Sequence, residues 1–317
     1  MNPLPRRPLG DSGIDVSVMS LGSWRTFERI SRERGLGVMT AAREAGIDFL
    51  DDARYDDELG TAPMPTGYSE VVFGELFRAA GWNRDEVTVA NKLWWEHWPD
   101  EDADAELTAS LRRMGLDHVD LVYAIKPPDG MAMEDLVDQV QSLIDSGKAR
   151  HWGTGMWSAS QHHQALDICG RVGAPGPVAA QMANSLVDNI GPTDNEMVGA
   201  FERGNIGLVA SYVLAGGILT GKYSRGETGR VESGAGIDPA NAEVVAQVVD
   251  LARRWGVPPG HVAFAYAFAH PNLASVLFGA TSADQVSENV GAWDTYARLD
   301  DAQRREIAQL GDHALGS

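Results

Sequence analysis

Eight short apolar segments alternate with helical patterns along the 317 residues, and this alternation predicts a (β/α)8 TIM barrel. Strands that alternate with helices favour parallel pairing, because a helix returns the chain to the starting edge of the sheet. Eight such units also suit the chain length, since these barrels take about 250 residues plus insertions. An open doubly wound sheet is the weaker alternative, because "SLGSWRTFE" offers no G-x-G-x-x-G after the first strand. Residues 1–317 are therefore predicted to form one barrel domain.

The predicted strands are rich in β-branched and other apolar residues, which is typical of strands buried on both faces. In chain order they are VSVMSLG (16–22), IDFL (47–50), VTVANKL (87–93), VDLVYAI (119–125), HWGTG (151–155), PVAAQ (177–181), IGLVAS (206–211) and ASVLFGA (274–280).

Apolar residues three and four apart predict the intervening helices. The pattern is clear at 107–114 and at 136–144, where Gly147 follows as a C-terminal stop signal. Three more helices are predicted towards the C-terminus, at 241–255, 260–270 and 300–313. The glycine-rich loop at 223–238 is expected to be mobile.

Composition restricts the partners of this chain. Its 45 acidic and 26 basic side chains give a formal charge of −19, which opposes binding to nucleic acid and to anionic membranes. No segment approaches the roughly 18 uninterrupted apolar residues of a membrane span, and the opening residues lack the apolar core of a signal peptide. We therefore expect a soluble cytoplasmic protein with a small-molecule partner. The single Cys169 allows no intrachain disulfide, and its helical apolar neighbours predict a buried thiol.

The residues that follow the predicted strands are the candidate functional residues, because TIM barrels carry their chemistry at the C-terminal strand ends. They are, strand by strand, Trp24 and Arg25; Asp51, Asp52 and Tyr55; Lys92, Trp94, Trp95 and Trp98; Lys126; Met156 and Trp157; Gln181 and Asn184; Ser211 and Tyr212. A carboxylate, a lysine and a tyrosine at one rim predict a proton donor for a carbonyl oxygen. The lysine would lower the phenol pKa and the carboxylate would hold the lysine. The alternative is that these side chains form ordinary rim salt bridges.

No strand end carries the H-x-H of a barrel zinc site, so no metal is expected at this rim. His162 and His163 are adjacent on a helix, do not face one point, and are predicted to be surface residues.

After the last strand, Ser282 and Gln285 form a capping-box pattern, and a helix N-terminus there is the usual phosphate site of this fold.

Five motifs, in this order, resemble the aldo-keto reductase family from about Leu9 to Gly291. LGDSGIDVSVMSLGSW resembles its opening hairpin and first strand, FLDDARY its aspartate and tyrosine segment, and VANKL its lysine strand. LAGGILTGKY and GATSADQVSENV resemble its seventh-strand loop and its phosphate-binding loop and helix. The resemblance implies hydride transfer between NADPH, or alternatively NADH, and a small-molecule carbonyl, with Asp51, Tyr55 and Lys92 as catalytic residues.

The resemblance and the rim positions together give the remaining expected contacts. Cofactor contacts are expected from Gln181, Ser211, Tyr212, Leu214, Gly216, Gly279, Ala280, Thr281, Ser282, Gln285, Glu288 and Asn289. Substrate contacts are expected from Trp24, Trp94, Trp95, Ile125, Lys126 and Trp157. The tryptophans suggest a broad aromatic pocket for a polyketide-like compound or for a sugar that stacks on indole.

The chain departs from the family pattern at the catalytic positions. Tyr55 follows Asp51 by four residues where the family has five, which leaves Tyr68 as a second candidate proton donor. The family's histidine falls on Ile125, or on Lys126 with a one-residue shift, and neither replaces an imidazole.

Two cofactor positions also differ from the family. Its Ser-Asn pair that grips the nicotinamide is replaced by Gly155-Met156. Gln285 stands where some branches have an arginine, so only a modest preference for NADPH over NADH is expected.

These departures leave two further functions open. One is a cofactor-binding regulatory protein with little turnover, because barrel subunits attached to potassium channels resemble this family. The other is a reductase of conjugated C=C bonds, because a change at the histidine position redirects hydride to carbon in the steroid branch.

Overall fold

A computed structural model describes residues 4–223 and 239–315 of the chain. The loop predicted to be mobile therefore lies, apart from Tyr223, outside the described residues. The predicted (β/α)8 barrel is confirmed, because eight parallel strands close on themselves in the order β10-β3-β4-β5-β6-β7-β8-β9. The strands are β1 Arg6–Pro8, β2 Asp15–Ser17, β3 Met19–Gly22, β4 Phe49–Asp51, β5 Thr88–Leu93, β6 Val119–Ile125, β7 Ala149–Gly155, β8 Ala179–Ala183, β9 Gly207–Ser211 and β10 Leu273–Phe278.

The first predicted strand, 16–22, is divided in the structure. Its beginning belongs to β2, which pairs antiparallel with β1, and its end is the barrel strand β3. Leu9 and Val16 of this hairpin are fully buried and pack with residues of the barrel interior such as Phe49 and Val209. The hairpin therefore closes the N-terminal end of the barrel and leaves the C-terminal end open to ligands.

Helices cover the outside of the barrel. The α-helices are α1 Arg32–Glu44, α2 Tyr68–Ala79, α3 Ala103–Met114, α4 Met133–Asp145, α5 Ala159–Val172, α6 Ile190–Thr193, α7 Asn195–Gly204, α8 Pro239–Trp255, α9 Pro259–Phe268, α10 Ala283–Ala297 and α11 Asp301–Leu315, with 3₁₀ turns at Phe27–Arg29, Arg84–Glu86 and Ala215–Thr220. The helices predicted from apolar spacing at 107–114 and 136–144 lie within α3 and α4. Gly147 follows α4 with a φ of 74°, in the left-handed region that glycine favours.

Both faces of the barrel strands are buried, which explains their uninterrupted apolar sequences. Along β6, Leu121 and Tyr123 pack in the barrel interior, whereas Val122 and Ala124 belong to the layer between the barrel and the helices. None of the helices in the described part of the chain combines the length and apolar composition of a membrane span.

His162 is buried, so its prediction as a surface residue was wrong. It lies on the inward face of α5, where its Nε2 is 2.8 Å from the Thr154 hydroxyl and its Nδ1 is 2.9 Å from the Ser158 carbonyl oxygen. Because a carbonyl only accepts, Nδ1 must carry the proton and Nε2 must accept. Burial lowers the pKa of His162 to about 4, so the ring is neutral and links β7 to α5. Cys169 on the same helix is buried as predicted, and burial raises its pKa to about 11.

Candidate active site

The C-terminal rim of the barrel carries most of the unusual backbone. Six described non-glycine residues have a positive φ, and all but Asn205 follow a barrel strand: Arg25, Trp95, Met156, Tyr212 and Ala215. Such conformations cost about 1–3 kcal/mol each and persist where the surrounding structure enforces them. Their concentration at one rim indicates the functional end of the molecule.

Asp51, Lys92 and Tyr55 meet at this rim. The Lys92 ammonium on β5 donates to Asp51 Oδ1 on β4 at 2.5 Å and lies 3.3 Å from the Tyr55 hydroxyl. Gln181 on β8 donates to the other Asp51 oxygen at 2.9 Å. The Lys92 and Asp51 side chains are only 4% and 2% exposed, so solvent screens their attraction weakly. The structure therefore brings the three predicted catalytic residues together.

The short Asp51-to-Tyr55 spacing is accommodated by the loop that follows. The chain leaves the rim at Tyr55 and returns at Gly67, whose N–H donates to the Tyr55 carbonyl oxygen at 2.9 Å. Residues 56–66 form this excursion, and α2 begins directly after it. Tyr68 instead faces α1, with its hydroxyl 3.1 Å from the Arg32 guanidinium. The geometry thus places Tyr55, and not Tyr68, beside Lys92.

The pKa of Tyr55 is raised, contrary to the expectation that Lys92 lowers it. Burial around the hydroxyl raises the pKa of Tyr55 well above its ordinary value, and the carboxyl groups of Asp51 and Asp52 raise it further. The charge of Lys92 is already balanced by Asp51, so it does not offset these effects. The phenol therefore remains protonated and can act as a proton donor.

Asp52, one of the candidate rim residues, is fully buried. Its Oδ1 accepts a hydrogen bond from the Ser23 hydroxyl, and its other oxygen has no partner among the described residues. Burial, and then the nearby Glu70, raise the pKa of Asp52 well above its usual range. Asp52 is thus a second buried acid beneath the rim, and it helps to keep Tyr55 in its neutral form.

A cavity of about 900 Å³ opens at the rim, and Tyr55 lies in its wall. The predicted site residues that line it are Trp24, Asp51, Tyr55, Lys92, Trp94, Gln181, Ser211, Tyr212, Leu214, Gly216, Gly279, Thr281, Gln285, Glu288 and Asn289. Arg25, a predicted rim residue, also lines it, and the lining residues that the sequence did not assign are Gly22, Arg29, Val213, Gly217, Thr220, Lys222, Pro258, Pro259, Gly260, Leu277 and Phe278. Three of these lie in loops and three in 3₁₀ turns, which have no periodic pattern to reveal them, and the other five lie in β3, β10 and α9.

Two of the expected cofactor residues do not line the cavity. Ala280 is fully buried beneath the loop after β10. Ser282 is the N-cap of α10, and its hydroxyl accepts from the Gln285 N–H at 3.3 Å. Ala280 therefore packs in the core and Ser282 caps the helix, so both shape the loop.

Four of the expected substrate residues also lie outside the cavity. Trp95 is 3% exposed and donates from Nε1 to the Ile125 carbonyl oxygen at 3.1 Å, while Trp157 is 2% exposed and packs against His162. Lys126 points to solvent. Ile125 pairs with Gly155 across β6 and β7, and a Cβ on that glycine would come within 2.5 Å of the isoleucine Cδ1. Ile125 therefore fills the space that a side chain at position 155 would need.

The wall of the large cavity includes both a helix N-terminus and a lysine. The Gln285 side-chain oxygen accepts from the Thr281 N–H at 2.8 Å, which fixes the loop at the start of α10. Gly217 has a φ of 96°, and a Cβ there would lie 2.7 Å from the Lys222 nitrogen. Lys222 thus folds over a glycine backbone, and a helix N-terminus and an ammonium group share one cavity. Lys222 was not among the predicted cofactor residues, because the expectation of a cation rested on position 285 alone.

A smaller cavity of about 240 Å³ also has Tyr55 in its wall. We call it the side pocket, and its lining residues are Trp24, Arg25, Glu28, Arg29, Arg54, Tyr55, Asp56, Glu58, Trp94 and Glu96. Its walls combine three arginines and four carboxylates with the two indoles and the phenol. This composition contrasts with the broad aromatic pocket expected from the sequence.

Glu106 on α3 holds the wall that both cavities share. Its buried carboxylate accepts the backbone N–H groups of Trp94 at 2.8 Å and Trp95 at 3.2 Å. Arg54, the residue before Tyr55, lies 3.7 Å from the same carboxylate and is itself almost fully buried. One side chain therefore connects the tryptophan loop to the segment that carries Tyr55.

Comparison with known proteins supports the resemblance seen in the sequence. The model of the Aldo/keto reductase family matches residues 18–312. A probable voltage-gated potassium channel subunit beta of Oryza sativa subsp. japonica is 30% identical over 310 residues, which cover 92% of each chain. A probable voltage-gated potassium channel subunit beta of Arabidopsis thaliana is 28% identical over 320 residues, which cover 95% of each chain.

The anchoring role of Glu106 predicts a loss of stability in Glu106→Leu. The leucine would leave two buried backbone N–H groups without acceptors and would remove a partner of a buried arginine. We expect the free energy of unfolding, measured by urea denaturation, to fall by about 3 kcal/mol. Glu75→Leu is the control, since that exposed carboxylate pairs with Arg32 at 2.7 Å, and should cost within about 0.5 kcal/mol. Equal losses in the two variants would show that Glu106 is not an anchor.

Proposed function

The chain belongs to the aldo/keto reductase family, and on that basis we propose that it is an NADP(H)-dependent oxidoreductase. It transfers hydride between the nicotinamide and the carbonyl or alcohol carbon of a small molecule. The observation that carries this proposal is the group formed by Asp51, Lys92 and Tyr55 in the wall of the large cavity. A neutral phenol beside an ammonium group suits protonation of an oxygen that gains negative charge.

The residues of the large cavity fit a dinucleotide. Its volume of about 900 Å³ is near the upper end of the roughly 300–1,000 Å³ of small-molecule sites, which suits a long ligand together with a substrate. Its wall also offers Lys222, the N-terminus of α10 and the backbone of Gly216 and Gly217, all of which could contact phosphate groups. Gln181 lies next to Asp51, where its amide can hold the nicotinamide end.

The bound cofactor would supply the hydride, and the residues of the chain would supply the proton and the binding geometry. The Tyr55 hydroxyl donates a hydrogen bond to the substrate carbonyl oxygen. As that oxygen gains charge, the proton moves from Tyr55 to it. The Lys92 ammonium, 3.3 Å away, then stabilises the phenolate, and Asp51 keeps the ammonium in place.

A second candidate function is a cofactor-binding regulatory protein with little turnover. Two observations favour it: the two relatives are named as potassium channel subunits, and neither Ile125 nor Lys126, the two candidate positions of the family's histidine, carries an imidazole. The retained Asp51, Lys92 and Tyr55 geometry favours turnover. The two functions differ in whether the bound cofactor is oxidised or reduced by repeated turnover of a substrate.

The cofactor proposal predicts saturable quenching of tryptophan fluorescence by NADPH, because Trp24 and Trp94 line the cavity. Lys222→Met should weaken NADPH binding about tenfold, since one charge-assisted contact contributes about 1.5–3 kcal/mol.

The preference for NADPH over NADH should be only about tenfold. Gln285 offers the 2′-phosphate a neutral amide, and a guanidinium at that position would give a larger preference.

Lys148→Met is the control for this titration, because Lys148 pairs with Asp104 and does not line the cavity. It should leave the affinity unchanged. If neither fluorescence nor calorimetry detects NADPH binding, the oxidoreductase proposal is wrong. A thousandfold preference for NADPH would show that a further cation contacts the 2′-phosphate.

The proton-donor assignment predicts that Tyr55→Phe lowers kcat for carbonyl reduction by about a hundredfold or more. NADPH affinity should stay nearly constant, because the change removes only the hydroxyl. Steady-state rates and fluorescence titrations of the same variant measure both quantities.

Tyr68→Phe is the matched control, since it removes a phenol hydroxyl that faces Arg32 and not the cavity. It should leave kcat unchanged. Loss of activity in Tyr68→Phe but not in Tyr55→Phe would reverse the assignment. Tight NADPH binding without turnover of aldehydes, ketones or quinones by the wild-type protein would instead favour the regulatory function.

The raised pKa of Tyr55 predicts a specific pH dependence. Reduction needs the protonated phenol, so a pKa above the ordinary value keeps kcat/KM for reduction level up to about pH 9. Oxidation of an alcohol needs the deprotonated phenol, so its kcat/KM should still be rising at that pH. A fall in reduction between about pH 6 and 8 that disappears in Tyr55→Phe would show that the pKa is lowered instead.

A further inference from the structure

Three histidines are buried in the part of the chain that the structure describes, and one of them adjoins the large cavity. They are His162, His261 and His270. His162 links β7 to α5, and His270 lies between the end of α9 and the start of β10. His261 lies in the first turn of α9 and directly follows residues 258–260, which line the large cavity. The surroundings of His261 therefore bear on that cavity.

His261 connects α9 to α10 with both of its ring nitrogens. Its Nε2 is 2.9 Å from the Glu288 carbonyl oxygen, and its Nδ1 is 2.8 Å from the Thr295 hydroxyl oxygen. Because a carbonyl only accepts, Nε2 must carry the proton, and Nδ1 accepts from the Thr295 hydroxyl. Burial lowers the pKa of His261, which favours the neutral ring that these two bonds require.

The carbonyl that His261 holds belongs to the peptide between Glu288 and Asn289. Both of these residues line the large cavity and are among the expected cofactor contacts. The hydrogen bond to this peptide therefore fixes the backbone from which both side chains project. The His261 ring also packs against Gly291, where a Cβ would lie 3.5 Å from the ring Cε1.

We propose that His261 is a positioning residue for the adenosine end of bound NADP(H). This inference rests on the proposed function, which places the phosphates of the cofactor at the N-terminus of α10. His261 is not among the residues that line the cavity, so it acts through its neighbours. It holds the wall at 258–260 and the Glu288–Asn289 peptide in one fixed arrangement before a ligand binds, which lowers the entropic cost of binding.

Two substitutions separate the hydrogen bonds of His261 from its packing. His261→Leu removes both bonds and should weaken the binding of adenosine 2′,5′-bisphosphate to the full-length protein at least about fivefold, measured by calorimetry. NADPH affinity should fall by the same factor, because both ligands would occupy the α10 end of the cavity. His261→Gln keeps an amide donor for the carbonyl and an acceptor for the hydroxyl, and should bind both ligands within about twofold of wild type.

His270→Leu is the matched control for general destabilisation. His261 and His270 are both 8% exposed, and each bonds to one backbone carbonyl oxygen. The partner of His270 is Pro192, at 3.0 Å, and neither of these two residues lines the large cavity. His270→Leu should lower the Tm about as much as His261→Leu does and should leave both affinities unchanged.

The outcomes distinguish this inference from the proposed function. Unchanged affinity in His261→Leu, or an equal loss in His270→Leu, would overturn the positioning role. A loss in His261→Gln as large as that in His261→Leu would show that the hydrogen bonds do not position α10. Weaker NADPH binding with unchanged bisphosphate binding would also overturn it, because the effect would lie at another end of the cavity. If the wild-type protein binds neither ligand, the proposed function fails, and this inference fails with it.

Discussion

The buried ion pair between Lys92 and Asp51 is the interaction on which the rest of the site depends. An unpaired ammonium or carboxylate at 4% or 2% exposure would be strongly destabilised and would become neutral. The pair is completed from across the barrel, because Gln181 on β8 donates to Asp51 on β4, and these strands lie opposite each other in the closed order. Barrel closure therefore fixes the ammonium that lies beside Tyr55.

The same interaction explains why Tyr55 remains protonated. A lysine lowers a phenol pKa only when its charge is not balanced elsewhere. Here Asp51 balances Lys92, and the buried Asp52 adds a further acid supported by Ser23. In the proposed mechanism the ammonium therefore acts mainly after proton transfer, when a phenolate appears and the local charge changes. Such a site would suit giving a proton more than taking one.

The sequence predicted the features that follow from chain order and strand periodicity. Alternating strands and helices predicted the barrel, and the parallel strand ends predicted that Asp51 and Lys92 meet at one rim. The side-chain directions after a strand end were not predictable. Trp95 and Trp157 turn into the core and Asp52 is buried, while Trp24 stays at the cavity. These directions depend on local backbone, such as the positive φ of Arg25 and Trp95, and that backbone is enforced by distant partners such as Glu106.

The replacement of the family's histidine is best understood together with its neighbour on β7. Ile125 and Gly155 are register partners on the neighbouring strands β6 and β7, and the isoleucine fills the space that the glycine leaves. Restoring a polar side chain at either position alone would create a clash or an unpaired buried group. The two residues therefore fit one another as a unit, and this part of the rim is apolar. Under the proposed function, polar contact with a substrate is left to Tyr55 and to the charged walls of the side pocket.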